Sequence, residues 1–413
     1  MRIGILSTRL AGTDGVSLET AKWVHVLQRM GHEVFTCAGE LGPEWPTGTL
    51  VPAMHFRDPA AAAAGERAFS PGTPDAALEA ELRGLAAPLR DAMGRFVEER
   101  RLEMLVVENV HAIPMHLPLG AAVAGLIADT GLPTLAHHHD FYWERERYLA
   151  CRVPDFLDAY FPFDAPNVRH VVIHSGARRD LAERRGLASV VVPNVFDFAV
   201  DPPGFDAFNA DFRRAIDVAD DALLVLQPTR VVPRKGIELA IELVSRLDRP
   251  DAVLLITHEA GDEGVGYLDA LRRRAAELVV DLRYAPEVVG TARATRPDGS
   301  RVYSLWDAYP HADLVTYPSL YEGFGNALIE SVYFRRPVFV NRYPVYQTDI
   351  GPLGFDFVEI DGAVTDGAVA EVGTLLADPA RRRDAVNRSF DVGREHFSYE
   401  VLEAKLRGLL ESF

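Results

Sequence analysis

The sequence predicts an α/β protein made of two doubly wound parallel sheets, one in each half of the chain. Three observations carry this. Short apolar runs that close on polar residues or glycine alternate with longer stretches of helical spacing, the pattern of βαβ units. The alternation restarts after a breaker cluster, Asp201-Pro-Pro-Gly204, whose composition suits an interdomain linker. A chain of 413 residues, 48% of them apolar, also exceeds what one hydrophobic core usually serves, so two domains of roughly 200 residues are expected.

In the first half, strands are expected over 3–6, 33–37, 104–107, 134–137, 171–174 and 190–192. The stretch 58–74, rich in Ala, Gly and Pro, reads as a mobile surface excursion of a length that often has functional use. In the second half, strands are expected over 223–226, 253–257, 282–285, 314–317 and 338–341. The expected domains are therefore 1–200 and 201–397, with a helix over about 398–413 packing back onto the first. In sheets of this kind ligands bind beyond the carboxyl ends of the strands, so the two halves are expected to face a shared cleft.

Composition excludes several classes. Cys37 and Cys151 are the only cysteines, too few for a disulfide framework and too far apart for a Cys-x-x-Cys metal site. A formal net charge of −17 opposes nonspecific attraction to nucleic acid or to anionic lipid. Arginines at 95, 100 and 101, and at 178, 179, 184 and 185, have acidic neighbours and read as solvated helix faces. No apolar run approaches the roughly 18 residues of a membrane span. The opening MRIGILSTRL reads into a strand without a secretory h-region, so a cytoplasmic protein is expected. Nothing in the sequence sets the oligomeric state.

The segment richest in chemistry is Pro318-Ser-Leu-Tyr-Glu-Gly-Phe-Gly-Asn-Ala-Leu-Ile-Glu330, a glycine-bearing loop that follows a buried strand and opens a helix. Such a helix start presents unpaired backbone N–H groups and a positive dipole end, suited to a diphosphate. On one continuous helix Glu322 and Glu330 would be separated by about 12 Å of rise. That spacing is wrong for a hydrolytic carboxylate pair acting on one bond, and right for two groups that grip different parts of a long ligand. In Thr229-Arg-Val-Val-Pro-Arg-Lys-Gly236, Arg230 and Lys235 stand where a strand gives way to a helix, and a departing nucleoside diphosphate needs cations there.

The first half carries Gly12-Thr-Asp-Gly15, Glu108-Asn-Val-His111 and His137-His-His-Asp-Phe-Tyr-Trp-Glu-Arg-Glu-Arg147, each at a strand's carboxyl end. Strand alternation lets at most His137 and His139 share a ligand. No Asp-x-Asp is present to hold a sugar-nucleotide magnesium ion, so no metal site is expected and magnesium is not expected to be essential. His139 is expected at the strand tip facing the cleft. Tyr142 and Trp143 would offer flat faces to a sugar, against the alternative of packing into the core.

In these segments the chain resembles retaining glycosyltransferase family 4, along nearly its whole length. The loop 12–15, the strand ending in His139-Asp140, Val172-Ile-His-Ser175, Val192-Pro-Asn194 with Asp197, Arg230 with Lys235-Gly236, and Ala312 to Glu330 carry the resemblance. It implies a GT-B fold, two Rossmann-like domains facing an interdomain cleft, and transfer of a hexosyl group from a nucleotide diphosphate sugar to a small hydroxyl acceptor with retained configuration. No tightly bound cofactor is implied.

The resemblance also implies roles. His139 would sit beside the anomeric centre, Arg230 and Lys235 would hold the diphosphate, Glu322 would bind the donor sugar and Glu330 the ribose. The backbone of Gly323, Phe324, Gly325, Asn326 and Ala327 would line sugar and phosphates, and Gly15 would close over the donor. Acceptor contacts would come from Gly12, Thr13, Asp14, Asn109, His111, Tyr142, Trp143 and Arg145. Val107-Glu-Asn109 with Pro114, and His138 to Arg145, resemble a branch that makes glycosides of glycerate, the mannosylglucosylglycerate synthases among them. An anionic acceptor of that kind would call for Arg9, Arg145 or Arg147.

The chain departs from the family pattern at Pro193-Asn-Val-Phe-Asp197, at Arg335-Arg336 and in the long stretch 285–302, which leaves base contacts unassigned. Rival readings are a retaining phosphorylase of the same fold, a nucleotide-sugar epimerase and a noncatalytic nucleotide-sugar-binding protein.

Overall fold

A computed structural model describes residues 1–12, 14–260 and 265–413. The chain divides into two compact units, Met1–Val195 with Tyr399–Phe413, and Phe196–Ser398. The division falls ahead of the Asp201-Pro-Pro-Gly204 cluster, which lies inside the second unit.

In the first unit the strands are β1 (Arg2–Ser7), β2 (Glu33–Ala38), β3 (Thr49–Leu50), β4 (Met104–Glu108), β5 (Thr134–His138), β6 (Val168–Val172) and β7 (Ser189–Val191). They pair in the order β3-β2-β1-β4-β5-β6-β7, all parallel. The order reverses between β1 and β4, and register sets Ser7 beside both Ala38 and Glu108. Two helices, Ala76–Arg100 and Leu117–Thr130, share the core that holds Leu105, Val107 and Ala136. Ile3, Ile5, Val106 and Leu135 share a second core with Trp23. The last helix, Tyr399–Leu410, joins that second core through Leu402, Leu406 and Leu409.

The stretch 58–74 is corrected in part. Pro59–Ala68 is a helix, with the Asp58 carboxylate accepting the Ala61 N–H and proline in its first turn. Ala61, Ala64 and Ala68 are buried, a spacing of three and four residues that makes one apolar stripe. Alanine has the best helix propensity, and this outweighs the single Gly65. A strand expected at 171–174 lies earlier, as β6, because the His174 ring accepts the Ala177 N–H and caps the helix Ser175–Arg185.

The second unit repeats the winding. Its strands are β8 (Leu223–Gln227), β9 (Ala252–Ile256), β10 (Asp281–Tyr284), β11 (Val289–Gly290), β12 (Ala294–Thr295), β13 (Arg301–Ser304), β14 (Leu314–Tyr317), β15 (Val338–Asn341) and β16 (Val358–Ile360). The main sheet runs β10-β9-β8-β14-β15-β16, all parallel, and reverses between β8 and β14. The long stretch 285–302 builds a small separate sheet, β11-β13-β12. The fold is thus two Rossmann-like parallel-sheet units, each with a switch point where its order reverses. Among the described residues no helix is long and apolar enough to cross a membrane.

Candidate functional site

At the β8/β14 switch two loops close on each other. The first, after β8, ends in Gly236 with φ +57°, and a Cβ there would fall 2.5 Å from the Pro318 carbonyl oxygen of the second loop. The Leu320 N–H donates to the Arg234 carbonyl at 2.8 Å. Only glycine permits both the left-handed turn and this approach. Asn341, at the end of β15, donates to the Ser319 carbonyl at 2.9 Å and accepts the Gly362 N–H at 2.7 Å, holding the second loop from behind.

This packing buries a charge cluster. Glu322 forms an ion pair with Lys235, accepts from Arg234 at 3.1 Å and accepts the Ser319 hydroxyl at 2.7 Å. Burial alone would raise its carboxyl, but Lys235 and Arg234 outweigh it and hold the group below the usual carboxylate range. Burial pushes the Lys235 ammonium down, and Glu322 opposes the change. Arg230 is exposed. Burial, with Lys235 and Arg230 nearby, pushes His258 down to about 4.

Two helices begin here, Ile237–Arg246 behind Gly236 and Asn326–Tyr333 behind Gly325, and neither has a side-chain cap at its start. Gly325 has φ +128°, and a Cβ on it would meet the Tyr343 hydroxyl at 2.4 Å. That hydroxyl donates to the Phe324 carbonyl at 2.7 Å. Cations beside uncapped helix starts make a site for an anion such as a diphosphate. Farther along the second helix, Glu330 accepts from the Trp306 indole N–H and from the Tyr309 hydroxyl at 2.9 Å. Two donors thereby set the orientation of its carboxylate.

The β1/β4 switch of the first unit holds a second cluster. Glu108, the last residue of β4, is fully buried, and the ring nitrogens of two histidines reach one of its oxygens, His137 Nδ1 at 2.9 Å and His139 Nε2 at 3.3 Å. Trp23 stacks on His137 with centroids 4.2 Å apart. Burial raises the Glu108 carboxyl, but His137 and His139 outweigh it and hold it at about 2. Burial lowers His139, yet the Glu108 contact prevails and raises it above the usual histidine value. The ligand atoms of Glu108, His137 and His139 lie within 4.8 Å of one another, the one such group among the described residues that could hold a metal ion. With both rings turned to one oxygen of an ionised carboxylate, it also makes a hydrogen-bond relay.

Asn109, with φ +60°, accepts the His139 N–H at 3.0 Å and donates to Asp140 at 3.3 Å. His138 points to the other face of β5 and contacts His170 at 3.0 Å.

The expected acceptor residues fare unevenly. Gly12 has φ +73°, Asp14 caps the helix Gly15–Arg29 and pairs with Arg9 at 2.7 Å, and Thr13 lies outside the described residues. Arg145 is exposed and ion-paired with Asp140. His111 is corrected: it is 1% exposed, and its Nε2 lies 3.1 Å from the Gly120 carbonyl, so it turns into the core. Trp143 stacks on Phe141 at 4.4 Å and lies under Arg184, which corrects the expectation of a free face. Tyr142 is half-buried and meets Trp143 edge-on. His139 is 8% exposed, so it stands at the strand end without being an open tip.

Sequence reasoning assigned nothing to Glu108, Arg234, Ser319, Trp306, Tyr309 or His258. Glu108, Arg234 and Ser319 lie inside quoted motifs, but carboxylates, arginines and serines at strand ends are too common to single out. Trp306, Tyr309 and His258 arrive from other segments.

Comparison with known proteins bears on this geometry. No family model matches the chain. It is 31% identical over 380 residues to a mannosylglucosylglycerate synthase of Petrotoga mobilis, covering 87% of this chain and 86% of that one. It is 34% identical over 437 aligned positions to a mannosylglucosylglycerate synthase of Thermotoga maritima, covering 98% of each. The chain belongs to the mannosylglucosylglycerate synthase family. It is a glycosyltransferase near the branch its motifs resemble. Among solved structures, Anabaena HepE in complex with UDP-glucose has the same fold, with a TM-score of 0.67, 14% identity and complete coverage, 100%, of both chains. The fold is GT-B.

Proposed function

We propose that this glycosyltransferase moves a hexosyl group from a nucleoside diphosphate sugar to a hydroxyl of a small glycerate glycoside, with the donor's anomeric configuration retained. The observation that carries the reading is the β8/β14 cluster: Arg230, Arg234 and Lys235 beside a buried Glu322 and two glycine-led helix starts. The Petrotoga and Thermotoga relatives, named for a glycerate glycoside, support the acceptor class. HepE with UDP-glucose supports the donor class.

In this reading the acceptor oxygen bonds to the anomeric carbon as the bond from that carbon to the phosphate oxygen breaks. The hydroxyl proton passes to the departing phosphate on the same face. Lys235 turns part of its charge from Glu322 to the phosphates, Arg230 and Arg234 share the load, and Glu322 accepts from sugar hydroxyls. Glu330, oriented by Trp306 and Tyr309, takes the ribose. Asp14 and Gly15 border the reactants. Glu108 and Asn109 fix the ring and backbone of His139, which positions the transferred sugar.

The test is incubation of the protein with the UDP and GDP forms of glucose and mannose, each with glucosylglycerate. The expected product is a diglycosyl glycerate whose new linkage keeps the donor's configuration, read from the one-bond coupling at the anomeric carbon. An inverted linkage, or no transfer from any of the four donors, refutes the proposal. Activity should survive excess EDTA, because the leaving-group charge is assigned to side chains and helix ends. Complete loss restored by magnesium or manganese would overturn that assignment and turn attention to Glu108, His137 and His139.

A further inference from the structure

A concavity of about 510 Å³ in the first unit is lined by none of the residues given a role in the transfer. Its lining includes Gly39, Glu40, Ala53, His55, Arg57 and Asp58. It lies at the carboxyl end of β2, one strand over from β1. The Gly39 N–H donates to the Thr8 carbonyl at 3.1 Å, and the Leu10 N–H to the Glu40 carbonyl at 2.9 Å, so its wall is tied to the loop that follows β1. A Cβ on Gly39 would fall 2.0 Å from the His55 nitrogen, and the two backbone segments therefore close that wall together.

The charges in this hollow are unequally matched. Glu40 lies 3.1 Å from the His55 ring. One oxygen of the Asp58 carboxylate accepts the Ala61 N–H at 3.0 Å, turning the group toward the start of the following helix. Arg57 is exposed, and among the described residues no carboxylate pairs with it. Its guanidinium lies 5.8 Å from the centre of the Phe56 ring, and that of Arg9 lies 5.7 Å from the same ring. Phe56 thus links the free cation to Arg9, which is paired with Asp14 at 2.7 Å. Of the other cations expected to meet an anion, Arg145 pairs with Asp140, and Arg147, 4.6 Å from the Tyr148 ring centre, does not line this hollow.

A small carboxylate approaching a chain of net charge −17 requires a local cation that is not already neutralised. We infer that this concavity holds the carboxylate end of the acceptor, with Arg57 making the charged contact, and that it sets the preference for acidic over neutral glycosides. The inference rests on the glycerate-glycoside reading above. A guanidinium suits the task because its planar donors match a carboxylate two to two.

The experiment compares two acceptors with one donor: glucosylglycerate and its neutral counterpart glucosylglycerol. The wild-type protein should favour the acid in kcat/KM. Arg57→Ala should raise KM for glucosylglycerate about 10- to 100-fold, the range of a lost charge-assisted contact. Donor KM and the melting midpoint should hold, KM for glucosylglycerol should change little, and Arg57→Lys should restore part of the loss. An unchanged KM for the acid, or an equal rise for both acceptors, overturns the inference while the functional reading stands. If the wild-type protein uses no glycerate glycoside at all, the functional reading fails and this assignment falls with it.

Discussion

Gly236→Ala tests whether the approach of the two loops at the β8/β14 switch organises the donor site. The substitution asks an L-residue to hold φ +57°, which costs about 1 to 2 kcal/mol. It also places a methyl group 2.5 Å from the Pro318 carbonyl oxygen, well inside contact distance, so the loops must part. Parting them breaks the 2.8 Å hydrogen bond from Leu320 to Arg234, worth about 1 kcal/mol. The sum is about 2 to 3 kcal/mol. For a unit of this size that corresponds to a melting midpoint lower by roughly 5 to 10 °C.

Lys235 adjoins the substituted residue and moves with it. Calorimetric titration with UDP and GDP should accordingly show affinity reduced about tenfold or more. The control is Gly84→Ala, on an exposed turn of the helix Ala76–Arg100, where a Cβ meets nothing within 4 Å. That change should stabilise by about 0.5 to 1 kcal/mol and leave nucleotide binding alone. A Gly236→Ala protein with the wild-type midpoint and affinity would refute the idea that loop approach sets the site.

Three other outcomes are expected. Glu322→Gln leaves Lys235 buried without its counter-charge and should cost about 3 kcal/mol in urea unfolding while weakening donor binding; unchanged stability would mean the pair is not buried as described. His139→Ala should reduce turnover by about 10²-fold with donor affinity kept, whereas His138→Ala, on the other face of β5, should do less; equal effects would count against a special place for His139.

The last concerns His111, which burial pushes down to about 4 from an ordinary 6.5. Below pH 6.5 the unfolded chain binds a proton that the folded one refuses, so stability falls with pH down to about 4, by about 3 kcal/mol in all. His111→Phe should flatten that part of a pH series of unfolding curves, and an unchanged slope would contradict the burial.

Much of this architecture can be read from local pattern. Runs such as Leu314–Tyr317 and Val338–Asn341 announce strands because residues buried on both faces of a parallel sheet are apolar throughout. The glycines at 236 and 325 and the Glu322 loop are visible for a similar reason: backbone geometry at a helix start restricts residue type. Helix propensity was legible too, but the Gly and Pro around 59–68 obscured an alanine stripe whose meaning depends on the surface it buries.

What no local pattern contains is which polar groups meet. Glu108 and His139 are 31 positions apart, and Trp306 and Glu330 are 24 apart. Strand order brings the first pair together, since β4 and β5 are neighbours in register. His111 and His139 look alike in sequence, each closely following a strand, yet one turns into the core and the other joins a carboxylate. Arg57, left without a carboxylate partner, stands out only once Glu40 is seen beside His55 and Asp58 at a helix cap. The sequence by itself determines where backbone sterics and apolar periodicity act, because those forces are local. The pairing of buried charges is long-range, and the tertiary structure alone decides it.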